Sequence, residues 1–324
     1  MSGHKNKRVV YAALAGNSAI AVTKIAAAIF TGSSAMLSES IHSIVDTGNQ
    51  SLLLYGMRRA GRPADQRHPF GYGREIYFWA FVVAILIFAV GAGVSIYEGV
   101  HKVQHPTPIT NVAVNYVVLT FAMIFEGGAW WVAFRAFDST RGKRSLIAAV
   151  RDSKDPSIFT VLLEDTAAML GLLIAFVGIA LGQWLEIPEL DGFASIGIGC
   201  ILAGAAMLLA IETKGLLIGE GADPEVIEEI RRALGTQSAI ERVNEILSVH
   251  LGPDDILVNV SVEFRDGLEI GAIERHTTAI EREIKARIPG ARRIFIEAQT
   301  TEDHFRDRAA QPDRNATSER TPGR

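Results

Sequence analysis

Three ionisable residues, Glu39, His42 and Asp46, fall inside one otherwise apolar stretch, SSAMLSESIHSIVDTGNQSLLLYG. Their i, i+3, i+7 spacing puts them on a single helical face, about one turn apart. If that helix crosses a membrane, turning such groups toward lipid costs on the order of 3 kcal/mol or more each. They must then face a cavity, a partner helix or an ion. Imidazole suits zinc and its neighbours and carboxylate supplies charge, so this face fits a divalent transition metal. The plainer alternative is a polar seam between packed helices.

The surrounding sequence supports the membrane setting. Apolar runs fill residues 9–218, whereas residues 220–324 are charged and soluble in character. Six stretches, near 9–30, 34–57, 76–97, 112–134, 158–182 and 192–213, approach the ~20 residues that cross ~30 Å of hydrocarbon. The third carries no charge between Ile76 and Ile96. Lys5, Lys7 and Arg8 precede an apolar run too long for a cleaved leader. Cys200 is the only cysteine, which excludes an internal disulfide or a thiolate zinc cluster, and a net charge of −4 argues against nucleic acid as a partner.

Loop charge sets an expected orientation. Arg58, Arg59, Arg62, Arg67 and Arg74 follow the second stretch, and Arg141, Lys143, Arg144, Arg151 and Lys154 follow the fourth. The opposite loops carry Lys102 beside the acids Glu186, Glu189 and Asp191. The positive side faces the cytoplasm, so both termini are expected there, with the chain crossing the plasma (cell inner) membrane many times.

Past Asp223 the pattern becomes globular. PEVIEEIRRALG reads as an amphipathic helix with Pro224 in its first turn. ILSVHLGPDDILVNVSVEF reads as two strands around a Gly252–Asp255 turn, and Val258, Val260, Val262 and Phe264 alternate with polar residues as a half-buried strand requires. IGAIERHTTAIEREIKARI is a second helix and RRIFIEAQ a third strand. The expected fold is thus an all-α six-helix transmembrane bundle (9–218) plus a small α+β domain (221–302) of αββαβ, ferredoxin-like order, with helices on one face of the sheet. The polar segment 303–324 is expected to be disordered.

A second acidic cluster, Glu164-Asp165, lies in FTVLLEDTAAMLGLLIAF with no lysine or arginine in the same stretch. His42, Asp46 and one or both of Glu164 and Asp165 could supply the four ligands of a closed tetrahedral site. Adjacent residues point about 100° apart on a helix, so both acids need not reach it. Glu39, one turn away, could carry protons or line the cation path. Lys24 could pair with a carboxylate, and Asn17 and Glu126 could hydrogen-bond between helices. In the loop PADQRHPFGYGREIYFWA, Asp65 and His68 form a weaker two-residue metal candidate. No phosphate-binding loop, dinucleotide fingerprint or nucleophile elbow occurs, so neither ATP-driven pumping nor enzymatic chemistry is expected.

GSSAMLSESIHSIVDTGNQ, DQRHPFGYGREI and LLIGEGAD, taken together, resemble the cation diffusion facilitator family of divalent-metal transporters. The likeness covers roughly residues 9–300. It implies that His42 and Asp46 are the ligands of the second helix and Asp165 one ligand of the fifth. The family's fifth-helix histidine falls on Val161, and Glu164 could replace it from a neighbouring position. That departure resembles a divergent branch related to mitochondrial zinc transporters, and the resulting oxygen-rich site would also accept manganese, iron or cobalt. Tyr72 stands where the family's third loop ligand would be. The reading is of a homodimer, joined through its C-terminal domain, that exports a divalent cation, zinc first, in exchange for protons. A passive cation channel and a membrane-bound metal sensor are the alternatives.

Overall fold

The computed structural model describes residues 3–141, 145, 149, 150 and 153–310. The chain divides into two compact units between Ile218 and Gly219. The first is helical throughout. Helix α1 (Gly3–Thr31) stops at Gly32, whose φ of +70° suits glycine and whose amide closes on the Ala28 carbonyl at 2.9 Å. Ser33 then caps α2 (Ser34–Ala60) by accepting the Met36 amide at 3.1 Å. Helix α3 (Glu75–Leu86), a π-helical turn (Ile87–Ala92) and α4 (Gly93–Gln104) run on as one rod. Three 30-residue helices follow: α5 (Val112–Arg141), α6 (Pro156–Leu185) and α7 (Glu189–Ile218). Asp155 caps α6 through the Ser157 amide at 3.0 Å, with Pro156 in the first turn.

Among the described residues, four helical segments are long and apolar enough to cross a membrane: Glu75–Gln104, Val112–Arg135, Phe159–Leu185 and Glu189–Ile218. That count does not confirm the six expected spans, since the first two are not among the four. α1 offers only the shorter apolar piece Asn17–Thr31, and α2 fails for a physical reason. Its buried side is polar, carrying Ser34, Ser38, Glu39, Ser40, His42, Ser43 and Asn49, while Ile44, Tyr55 and Met57 are exposed. The neighbouring helices likewise expose Ile29, Phe121, Val132 and Trp184. Apolar outside and polar inside is the arrangement that lipid imposes and water forbids.

Two close contacts hold the bundle. Gly99 of α4 and Gly192 of α7 pack backbone to backbone: a Cβ on Gly99 would lie 2.6 Å from the Gly192 carbonyl oxygen. Nearby, Asp191 accepts four hydrogen bonds, from Ser33 Oγ (2.6 Å), the Ser34 amide (2.7 Å), Ser34 Oγ (3.0 Å) and the Ala35 amide (3.2 Å). A carboxylate at the start of α7 thereby neutralises the amino end of α2. Lys102 of α4 closes the cluster, 3.8 Å from Asp191 and donating to the Gly32 carbonyl at 2.7 Å.

The second unit contains α8 (Pro224–Gly235), β1 (Ile240–Gly252), β2 (Asp255–Phe264), α9 (Ile270–Arg287) and β3 (Ala291–Ala298). The sheet order is β1-β2-β3, antiparallel between the first two and parallel between the last two. Val258, Val260 and Val262 are fully buried against Ile230 and Leu234 of α8 and Ile280 and Ile284 of α9. The disorder expected from Asp303 is corrected at its start. Residues Thr301–Ala310 form α10, because the sheet holds them: Thr301 bonds Asn244 (2.8 Å) and Glu263 (2.5 Å), and Arg308 meets Glu245 at 2.9 Å. Residues 311–324, like Lys143, Arg144 and Arg151, lie outside the described residues.

Asp191→Ala strips the cap from α2 and leaves Lys102 without its carboxylate. The expected loss is about 3 kcal/mol, read as a lowered melting temperature of the detergent-solubilised protein, with Asp191→Asn losing less. An unchanged melting temperature in both variants would show that this cluster anchors nothing.

Candidate metal site

The inward face of α2 carries two separate polar centres. His42 and Asp46 form the first, with Nε2 of the imidazole 3.4 Å from Oδ2 of the carboxylate. His42 is buried, and neither of its ring nitrogens has a hydrogen-bond partner; Asp46 Oδ1 is buried and unpartnered too. Buried polar atoms are seldom left this way, since each unmet group costs about 1–3 kcal/mol. A neutral imidazole has one acceptor nitrogen, so His42 offers one lone pair beside the free Asp46 oxygen, the donor types that a divalent metal takes.

Helix α6 brings Glu164 and Asp165 into the same electrostatic neighbourhood. Both act on Asp46, as does Glu126 of α5. Glu164 is buried and accepts a hydrogen bond from Asn49 Nδ2 at 2.8 Å, whereas Asp165 is partly exposed. Among the described residues, no three His, Cys, Asp or Glu side chains converge closely enough to grip one ion together. The four-ligand arrangement is therefore not assembled here: α2 contributes a pair, and the carboxylates of α6 stand nearby.

Glu39 belongs to the second centre, built around Lys24. Lys24 of α1, with no exposed surface, lies 3.3 Å from Glu39 Oε2, donates to Ser43 Oγ at 2.8 Å and stands 3.7 Å from Glu126 Oε1. The other Glu39 oxygen is buried and unpartnered, and it abuts Gly171 of α6, where any Cβ would collide with it. The sequence offered Lys24 as a possible partner for a carboxylate; the packing of α1 against α2 and α5 gives it Glu39 and Glu126.

Asp65 and His68 sit in the exposed loop between α2 and α3, with His68 Nδ1 3.5 Å from Asp65 Oδ1. There Asp65 staples the turn. It accepts the Arg67 amide (2.9 Å), the His68 amide (2.8 Å) and the Tyr72 hydroxyl (2.6 Å), and these bonds hold its carboxyl below the usual range. Arg59 clamps the loop ends together by binding both oxygens of Glu75, at 2.8–3.1 Å. The residues that sequence reasoning passed over are Ser43, Gly171 and Asn49. Of these only Asn49 carried a signal, its i+3 offset from Asp46 on the ligand face.

Residues 10–218 match the family described as cation efflux transmembrane domain. The chain is 32% identical over 259 residues to the mitochondrial proton-coupled zinc antiporter SLC30A9 of Homo sapiens, covering 79% of this chain and 46% of that protein. It is 28% identical to metal tolerance protein C4 of Arabidopsis thaliana, covering 72% and 52%. It is also 24% identical to the cation-efflux pump FieF of Escherichia coli O127:H6, covering 89% and 91%. The chain spans about half the length of the human and plant relatives. It belongs to the cation efflux, or cation diffusion facilitator, family and is an integral membrane protein.

The Lys24 centre yields a direct test. Lys24→Met leaves Glu39 buried, and Glu126 half-buried, without a cation and should cost roughly 3 kcal/mol or more. Adding Glu39→Gln should restore much of the loss. Thermal unfolding of the two variants in detergent measures this; a double variant no more stable than Lys24→Met would separate Lys24 from Glu39 energetically.

Proposed function

We propose that the chain transports a divalent metal cation, zinc first, from the cytoplasmic side of the membrane in exchange for protons. The observation that carries this reading is the His42–Asp46 pair, buried inside a bundle with apolar outer faces, with an imidazole and a carboxylate oxygen that lack hydrogen-bond partners. Glu164 and Asp165 complete the ligand set when the ion draws α2 and α6 together. Zinc heads the order because a relative bears the name zinc antiporter and an imidazole joins the carboxylates. The oxygen-rich half also suits manganese, iron or cobalt.

Exchange follows from chemistry shared by all such ligands. A metal binds the neutral imidazole and ionised carboxylates, so loading displaces protons and a proton-rich opposite face displaces metal. Six membrane crossings, with α1 and α2 counted despite their polarity, put both termini and the arginine-rich segments on the cytoplasmic side of the plasma membrane. Glu39, tied to Lys24, serves the bundle's charge balance beside the cation path, and Asp65 with His68 shapes the loop.

The second unit joins two copies. Leu247 of β1, Asn259 of β2 and Phe295 of β3 are register partners across the sheet, and both apolar members of this row are exposed. Such a row on a small domain favours burial against a second copy.

Two experiments test these readings. In proteoliposomes, the full chain should accumulate zinc faster with an imposed pH gradient, and Asp46→Ala should reduce flux to that of empty vesicles. Flux indifferent to the gradient would favour a passive channel, and normal flux from Asp46→Ala would remove the site. The fragment 219–310 should fold alone and sediment as a dimer that Phe295→Glu dissociates. A folded fragment that stays monomeric at high concentration would remove that interface.

A further inference from the structure

Asn49 stands three residues past Asp46 and seven past His42 on α2, hence on the same face. It has no exposed surface. Its Nδ2 donates to Glu164 Oε1 at 2.8 Å, while its own Oδ1 is buried without a partner. An unmet buried acceptor costs about 1–3 kcal/mol. Here one end grips a carboxylate and the other stays idle among the candidate ligands. The bond also links α2 to α6, the two helices that carry those ligands.

The orientation of Glu164 depends on this contact. Adjacent residues on a helix diverge by about 100°, so Glu164 and Asp165 do not naturally face one point. A donor fixed on α2 pulls one oxygen of Glu164 toward the α2 face, leaving the other oxygen available for coordination. The position one turn before Asp165 is Val161, which can offer nothing to an ion. An acid supplied from Glu164 fills the vacancy only if something on α2 turns it inward.

We propose that Asn49 is a positioning residue that directs Glu164 into the metal site in place of a ligand at Val161, and that the Asn49–Glu164 pair sets the preference among divalent metals. The proposal rests on the transport reading above. A carboxylate in place of a second imidazole makes the site harder and narrows discrimination between zinc and manganese. Partners that orient ligands commonly contribute about 10–100-fold to metal affinity. Because Asn49 acts through Glu164, its removal should add nothing once Glu164 is changed.

The experiment measures initial rates of zinc and of manganese uptake against metal concentration, using the full chain in proteoliposomes. The variants are Asn49→Ala, Asn49→Gln, Glu164→Gln and the double variant Asn49→Ala/Glu164→Gln. Asn49→Ala should raise the KM for zinc roughly tenfold while the maximal rate stays within about twofold. The zinc-to-manganese KM ratio should move in the same direction in Asn49→Ala and Glu164→Gln, and the double variant should match Glu164→Gln. Asn49→Gln, which keeps an amide donor, should recover part of the affinity. Additive losses in the double variant, or an Asn49→Ala protein with unchanged KM and ratio, overturns the proposal. If Asn49→Ala does not fold, Asn49→Asp is read instead: it sets a carboxylate against Glu164 and must shift the metal ratio, and an unshifted ratio overturns the proposal equally. Asp46→Ala in the same vesicles separates the two readings, because a failure there removes the transport site itself whatever Asn49 does.

Discussion

The bundle depends on the cost of burying one ammonium group. Lys24 has no exposed surface and touches two carboxylates and a hydroxyl drawn from α2 and α5. Taking such a charge out of water costs several kcal/mol, and only close opposite charge offsets it. Helices α1, α2 and α5 therefore cannot rotate independently without stranding either the lysine or a glutamate. That lock fixes which side of α2 faces inward. Glu39 and Ser43 are held by Lys24, so His42 and Asp46, one turn or less along the same helix, must also lie inside.

Hydrogen-bond accounting then divides the acidic residues by task. Asp191 accepts four bonds at the start of α2, and Asp65 accepts three in the loop beyond its end. Both are fully engaged and act as anchors. Between them, Asp46 keeps one buried oxygen without a partner and His42 keeps two ring nitrogens in the same condition. Identical side-chain chemistry serves architecture at the ends of α2 and remains available for binding at its centre. Firm anchors at both ends are what allow the middle to tolerate that deficit, since a helix free to turn would relieve it against Ser or backbone groups.

How much of this was legible in the sequence varies with distance along the chain. The buried polar face of α2 could be read because i, i+3 and i+7 are local, and Asn49 extends the same series. The α+β unit was legible for the same reason, with Val258, Val260 and Val262 keeping strict alternation. Asp191 could not be assigned, because its partners Ser33 and Ser34 are brought to it by tertiary packing of α2 on α7. Glu39 looked like a companion of His42, and only the pairing with α1 shows that Lys24 takes it. Hydropathy failed on α2 because the helix inverts the usual rule by burying its serines, its glutamate and its histidine. Helix α10 escaped notice because its order comes from Asn244, Glu245 and Glu263 in the sheet and from no periodicity of its own.

On the proposed reading, the distribution of charge around Asp46 would make metal and protons compete. Glu126, Glu164 and Asp165 all bear on Asp46, and the cation that also bears on it, Lys24, lies against Glu39 and Glu126. In a medium of low dielectric, carboxylates crowded in this way would repel one another strongly if all were ionised. Two kinds of positive charge can relieve that repulsion from solution: a divalent ion that draws the acids together, or protons that neutralise them one at a time. Neither needs a dedicated coupling device, because each relieves the repulsion that attracts the other. A site with Lys24 released from its partners would lose this property, since a mobile internal cation could satisfy the same acids and leave nothing for either ion to do. On the proposed reading, the buried salt bridge thus serves exchange as well as folding, by keeping the protein's own positive charge out of the metal's place.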